Sequence, residues 1–541
     1  MGSLKIKNPI IKGFNPDPSI CRVDEDYYIA VSTFEWFPGV QIYHSKDLKN
    51  WKLISQPVNR IEQLNMIGNP DSGGVWAPQL SYSDGKFWLI YSDVKVVSGN
   101  NFKDVSNYLI TSETIDGDWS DPIFLNSSGF DPSLFHDEDG KKYLLNMVWD
   151  FRPKKHAFHG IIMQEYDVEK KQLVGKSEII FKGTPLGLTE APHMYKIGDY
   201  YYLLTAEGGT KYEHASIFAR SENLWGPFEL HPQTPFLTAW HEPLNPVQKS
   251  GHGSLVETHT GEWFFTHLMG RPIHIEGETM LGDRGYCPLG RETGIQRVEW
   301  KDDWPYIVDG PVPSLEIEGP KIEEHPFDKT YLVKDDFDDS KLNIHFQTLR
   351  QPYQWFANLD ENPGHLRIYG GESMNSFFKQ SLIARRWESL DFTAETKVSF
   401  EPETFIQLAG LTNYYNINNW SSLHVTWDEE YGKVIQLLVS DKGNMSYALD
   451  KPIKIENNVD YVYLRSVVSG HDYQYYYSID GENWAKVGNI LESRKLSDDY
   501  IYQEEDGFFT GAFVGMHVMD LTGKKLYADF DYFVYDDKDN T

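Results

Sequence analysis

Three carboxylic acids in the first 200 residues, Asp17, Asp131 and Glu190, stand at matching places of a repeated unit, and that register gives them a chemistry. The unit opens five times, at Asp17-Pro-Ser-Ile, Ala77-Pro-Gln-Leu, Asp131-Pro-Ser-Leu, Ala191-Pro-His-Met and His252-Gly-Ser-Leu, with successive openings 54 to 61 residues apart. Glu190 sits one position ahead of the fourth. A unit of this length cannot bury its own apolar face and must stack on its neighbours. If the units are related by rotation, equivalent positions lie at one height around one axis, and acids far apart in sequence converge. Converging carboxylates without a Cys/His metal cluster suit acid–base work on a glycosidic bond. One acid is protonated to release the leaving oxygen, and another is ionised to activate water or attack carbon. A third raises the donor's pKa by its charge. Taken singly, Asp before Pro is ordinary turn chemistry. Glu190 in Leu188-Thr-Glu-Ala-Pro has no such explanation.

The elements that must hold these acids are strands. Each opening runs through a turn into an aromatic-rich segment: Tyr27-Tyr-Ile-Ala, Phe87-Trp-Leu-Ile, Tyr143-Leu-Leu, Tyr201-Tyr-Leu-Leu and Trp263-Phe-Phe. A later half follows, as in His44 to Trp51, Thr111 to Trp119 and Ala219 to Trp225. Short strands, Gly/Asp turns and the absence of long helical periodicity make the chain all-β. A four-stranded blade needs about 40–50 residues, so these units leave length for loops, and residues 1–308 read as a five-bladed β-propeller. Beyond Tyr306 the pattern stops. Pro311, Pro313, Pro320 and Pro326 among acids mark an extended linker over 309–330. From Asp335-Asp-Phe-Asp onward, alternating strands such as Leu366-Arg-Ile-Tyr, Thr393 to Phe400 and Ala528 to Tyr535 make 331–541 a β-sandwich of jelly-roll type.

Composition narrows the substrate. At 541 residues the chain exceeds what one core supports. Sixteen Trp, 33 Tyr and 30 Phe are many; strands favour aromatics, and their flat faces also suit sugar rings. Fifty basic against 80 acidic residues give a net charge of −30, which repels phosphate backbones. Nucleic acid is thereby excluded as a partner, and neutral substrates are favoured. Two cysteines, Cys21 and Cys287, are too few for a disulfide framework. No apolar run approaches a membrane span, and Met1-Gly-Ser-Leu-Lys-Ile carries no apolar signal region. The expectation is a cytoplasmic protein with no membrane partner.

Longer motifs sharpen this reading. Phe14-Asn-Pro-Asp-Pro-Ser, Ser32-Thr-Phe-Glu-Trp-Phe-Pro-Gly-Val, Asn69-Pro-Asp-Ser-Gly-Gly-Val-Trp-Ala-Pro, Gly129-Phe-Asp-Pro-Ser-Leu-Phe and Thr189-Glu-Ala-Pro-His resemble those of family 43 glycoside hydrolases. The resemblance is to the two-domain β-xylosidase branch and extends through Asn418-Asn-Trp-Ser-Ser and Gly507-Phe-Phe-Thr-Gly-Ala-Phe, so it covers essentially the whole chain. It implies an inverting exo-acting β-1,4-xylosidase that releases xylose from the non-reducing ends of xylo-oligosaccharides, with side activity on α-L-arabinofuranosides. Position by position, it implies Asp17 as general base, Glu190 as general acid and Asp131 as the acid that orients Glu190 and adjusts its pKa. Arg291, in Cys287-Pro-Leu-Gly-Arg, is implied to bind substrate hydroxyls, and Phe34, Trp76, Ala77 and Phe130 to wall the terminal sugar. Phe508, with Phe509, is implied to reach from the sandwich and close the pocket. His252 matches a substrate-site histidine beside a water-coordinated divalent cation, typically Ca2+, whose sole protein ligand it would be at most. No cofactor is expected to be required, and the resemblance implies a homo-oligomer, dimer or tetramer. Two alternatives stay open: a retaining fructan or sucrose hydrolase of the same architecture, and a non-catalytic carbohydrate-binding protein.

Overall fold

In the computed structural model, which describes residues 4–97, 102–278, 284–328, 333–456, 458–501 and 509–538, the five openings share one backbone conformation. Asp17, Ala77, Asp131, Ala191 and His252 have φ of 58°, 40°, 55°, 52° and 37°. This is the left-handed region, which costs a residue with a side chain about 1–3 kcal/mol and concentrates at functional sites. At Ala77, Ala191 and His252 the same step is a bulge: the register slips between Trp76 and Gln79, Glu190 and His193, and Gly251 and Gly253. A bulge re-aims side chains, which is how Glu190, one residue early, still faces the axis.

Each opening begins one antiparallel sheet in chain order. The first blade comprises Ser19–Val23, Asp26–Val31, Gln41–Ser45 and Lys52–Ser55, and the fifth Gln248–Glu257, Trp263–Gly270, Glu292–Lys301 and Trp304–Ile307. The expected aromatic segments are the second strands: Tyr143 lies in Lys142–Trp149 and Tyr201 in Tyr200–Glu207. The innermost strands are stitched around the full ring by side chain to backbone bonds. Ser19 Oγ accepts the Leu80 N–H, Gln79 Oε1 the Leu134 N–H and Tyr195 OH the Leu255 N–H. Ser133 Oγ donates to the Pro192 carbonyl, and Ser254 Oγ accepts the Ile20 N–H, closing blade five on blade one. The serines of the Asp-Pro-Ser and His-Gly-Ser openings thus fix the ring, while the acids beside Ser19 and Ser133 point to the axis.

The second half is a sandwich of two antiparallel sheets. One carries Leu366–Tyr369, Tyr527–Asp537, Asp391–Ser399, Val462–Ser469 and Asp472–Ser478; the other carries Gly432–Asp441, Asn419–Asp428, Gln407–Asn416, Phe513–Asp520 and Ser381–Arg386. The second sheet ends outside its own domain, because Gln347–Leu349 pairs with Trp36–Phe37 of the propeller. Trp36 stacks on Phe513 at 3.6 Å and 11°, and one apolar cluster runs from Phe14, Phe34 and Trp76 to Leu349, Tyr414 and Phe513. Buried ion pairs add to this joint. Arg350 meets Asp71 at 2.8 Å, and Lys249 meets Asp499 at 2.7 Å and Asp498 at 3.2 Å. An interface this apolar and interlocked holds the two domains in one fixed relation.

The proline-rich segment lies along the propeller and carries a short strand: Glu316–Glu318 pairs with Lys5–Lys7, and the Pro311 carbonyl accepts the Thr238 N–H. Cys21 and Cys287 are both free and buried. Among the described residues no helix is long and apolar enough to cross a membrane.

Candidate active site

The axial ends of the blades and one residue from the sandwich enclose a cavity of about 560 Å³. Asp17, Phe34, Trp76, Phe130, Asp131, Glu190, His252 and Arg291 all line it, so eight of the sequence-derived site residues meet at one place. Ala77 does not line it, and Phe508 lies outside the described residues.

Asp17 is buried and held on three sides. Ser32 Oγ donates to Oδ2 at 2.6 Å, Arg291 Nη1 lies 3.4 Å from Oδ1, and His252 Nδ1 lies 3.5 Å from Oδ1. Burial works to raise its pKa, but the Arg291 guanidinium, then His252 and the Ser32 hydroxyl, outweigh it and hold the carboxyl below its ordinary 3.8. Ser32 is itself oriented by the N–H of Ala77, which donates to its Oγ at 2.8 Å. Ala77 also serves Asp17 through its backbone, since its left-handed φ turns that N–H toward Ser32.

The fourth opening repeats the device. The N–H of Ala191 donates to Asp131 Oδ2 at 3.1 Å. Burial, then the Asp17 charge, raises Asp131 to about 8. Burial, then Asp131 and Asp17, raises Glu190 well above 4.5. The Ala191 N–H favours the anion on Asp131 but does not outweigh burial and the Asp17 charge. The cavity therefore presents one carboxyl whose surroundings favour ionisation, Asp17, and one whose surroundings favour the proton, Glu190.

The walls are aromatic. Phe34 lies 5.9 Å from Trp76, and Trp76 is edge-on to Phe130 at 5.2 Å and 78°. Phe509 comes from the sandwich to 5.7 Å from Trp76 and 6.3 Å from Phe34, and Arg291 Nη2 donates to its carbonyl at 3.1 Å. Sequence reasoning missed several lining groups. Lys103 Nζ sits 4.3 Å above the Trp149 ring, and burial lowers its pKa to about 8 against the pull of Glu190 and Asp131. Thr210 Oγ1 accepts from Arg291 Nη1 at 2.5 Å, and Trp149 lines the outer wall. The Gly208-Gly209 turn, with φ of 79° and 74°, was the one available signal for Thr210.

The resemblance implies a water-coordinated cation beside His252, with no other protein ligand. Calcium takes six to eight oxygen ligands, and among the described residues no group of three or more His, Cys, Asp or Glu side chains is arranged to hold a metal. His252 faces Asp17, whose oxygens are already engaged by Ser32 and Arg291. Burial, and then Arg291, lowers its pKa against the pull of Asp17. No step of the chemistry below is routed through a cation.

Residues 6–305 match the family model for glycosyl hydrolases family 43, and residues 334–536 match that for the β-xylosidase C-terminal concanavalin A-like domain. The chain is 60% identical over 536 residues to the β-xylosidase of Bacillus subtilis strain 168, covering 99% of this chain and 100% of that protein. It is 46% identical to a xylan 1,3-β-xylosidase of a Vibrio species, covering 98% of this chain and 99% of the other. Among solved structures, the xylan β-1,4-xylosidase of Bacillus halodurans C-125 superposes with a TM-score of 0.94 at 50% identity, covering 98% of this chain and all of that one.

Proposed function

The chain belongs to family 43 of the glycoside hydrolases, and from that premise we propose that it is an exo-acting β-xylosidase that removes xylose from the non-reducing ends of xylo-oligosaccharides with inversion. The observation that carries this reading is a pair of carboxyls lining one cavity in opposed surroundings, Asp17 against Ser32 and Arg291, whose contacts lower its pKa, and Glu190 buried near Asp131, which raises its own. Single displacement needs that pair. Asp17 takes a proton from the attacking water, and Glu190 gives its proton to the departing oxygen. Asp131 disfavours ionisation of Glu190 and so helps keep the donor loaded. Arg291 anchors sugar hydroxyls while holding Asp17 ionised.

The exo mode is read from the aromatic wall on the sandwich side of the cavity. Phe34, Trp76 and Phe509 form a wall of apolar faces with which a terminal pentose can pack, and Arg291 ties Phe509 down. A xylopyranosyl unit carries no exocyclic hydroxymethyl group that must be fitted against such a wall. Side activity on α-L-arabinofuranosides, whose furanose ring does carry an exocyclic hydroxymethyl group, is part of the proposal on the family likeness alone. The 1,4 linkage rests on the likeness to the Bacillus halodurans protein, which is named for it, since a relative at 46% identity is named for 1,3-linked xylan. The dimer or tetramer that the resemblance implies also belongs here; exposed Phe405, Met445, Tyr447 and Leu521 along one groove of the sandwich support it.

Digestion of xylotetraose labelled at its reducing end tests the exo assignment. The expected course is labelled xylotriose, then labelled xylobiose, with unlabelled xylose accumulating from the first minutes. Early labelled xylose, or unlabelled xylobiose, would overturn the exo reading. Ligand-induced stabilisation without any turnover would favour the non-catalytic alternative.

A further inference from the structure

The segment Asn69-Pro-Asp-Ser-Gly-Gly-Val-Trp enters blade two, and the chemistry above uses only its final residue. Ser72, at its centre, is 1% exposed and adopts φ of 60°, a left-handed conformation that glycine would take at lower cost. Each of its three polar groups is committed to a different partner. Its N–H donates to Glu35 Oε2 at 3.0 Å. Its carbonyl accepts the Trp76 indole N–H at 2.8 Å. Its hydroxyl oxygen accepts the backbone N–H of Phe509 at 3.0 Å. One residue thus joins the two aromatic walls, one from each domain.

The loop around it is itself fixed from the sandwich. Arg350 Nε donates to the Asn69 carbonyl at 2.6 Å and Nη2 to Asp71 Oδ1 at 2.8 Å, while the Ile417 N–H donates to Asp71 Oδ2 at 3.1 Å. Ser72 therefore sits on a rigid base. Phe509 is gripped at both ends of its backbone unit, its N–H by Ser72 and its carbonyl by Arg291. It belongs to no strand, since the next one begins at Phe513. The Ser72 hydroxyl is the propeller's hold on the amide side of a wall that the sandwich supplies.

We propose that Ser72 is a positioning residue for the substrate pocket: its hydroxyl fixes Phe509 against Trp76 and Phe34, and so sets affinity for the terminal sugar. The proposal rests on the reading of the cavity as a xylosyl site. The hydroxyl touches none of the three acids, so its loss acts on binding rather than on proton transfer. Without it the Phe509 N–H has no partner among apolar rings, and the phenyl wall loses its fixed position.

The test is steady-state kinetics of Ser72→Gly on xylobiose, with Ser72→Ala beside it. Glycine accepts the left-handed φ without strain, so the fold is kept while the hydroxyl is removed. The expected result is a KM raised about 2- to 10-fold, the range of one hydrogen bond, with kcat changed less than about 2-fold. In a Phe509→Leu background the same substitution should add almost nothing, because its route of action is gone. An unchanged KM in both single variants overturns the proposal, as does a KM change of undiminished size in the Phe509→Leu background. A lowered melting temperature with a fall in kcat alone would mark Ser72 as structural only, and also overturns it. If the unaltered chain released no xylose, the substrate reading would fall and the proposal with it; xylose release with unmoved KM overturns the proposal alone.

Discussion

Replacement of Glu190 by Gln is expected to lower kcat/KM on xylobiose by about 100- to 10,000-fold, the span of one general acid or base, while 4-nitrophenyl β-D-xyloside loses far less. The amide keeps the shape of the carboxyl and removes its proton. A sugar leaving group departs as an alkoxide unless it is protonated, whereas nitrophenolate leaves unaided, so the gap between the two substrates measures proton donation. The same variant tests the electrostatics. Burial, Asp131 and Asp17 lift Glu190 well above 4.5, so the acid is lost only as pH rises through that raised value. Asp17 lies below 3.8, so the base is lost only as pH falls through that depressed value. The active window between them is wider than ordinary carboxyl values allow. Steady-state rates on both substrates across pH check these points. Equal losses on both substrates would remove Glu190 from the role of proton donor.

Asp17→Asn is expected to lower both substrates alike, again by about 100- to 10,000-fold. Water must be activated whatever the leaving group, so a good leaving group gives no rescue. Asparagine keeps the size of Asp17 and an oxygen to face Arg291, and removes only the charge that could take a proton. Substrate affinity should change much less than turnover, and pre-steady-state binding of xylobiose measures that separately. If the nitrophenyl substrate were spared, Asp17 would act on the leaving group, and the assignment of the two acids would be reversed.

The propeller and its acids were legible because one local rule repeats. Asp-Pro-Ser marks a left-handed residue aimed at the axis and a serine that stitches one blade to another, and both halves of that rule appear in the structure at Asp17 with Ser19 and at Asp131 with Ser133. Glu190 was visible as an acid that turn chemistry does not explain. Ala77 was placed as a wall from its position, and its service to Asp17 lies in a backbone N–H that no side-chain pattern reports. Arg291 came from resemblance, not from spacing. Lys103 and Thr210 sit in loops outside the repeat register, so nothing local marks them. Phe509 reaches the site only through docking of the two domains, as does the pairing of Trp36–Phe37 with the sandwich sheet. Contacts of that kind depend on tertiary packing between distant segments, and periodicity within either segment carries no trace of them.

The most direct test of the central claim is proton NMR of the anomer released in the first moments of xylobiose hydrolysis, before mutarotation equilibrates the sugar. A water activated by Asp17 attacks the face opposite the bond that Glu190 protonates, so α-xylose should appear first from the β-linked unit and decay toward the equilibrium mixture. First-formed β-xylose would contradict the account, because retention requires a carboxylate to attack carbon, and Asp17 could not then be the base in a single displacement.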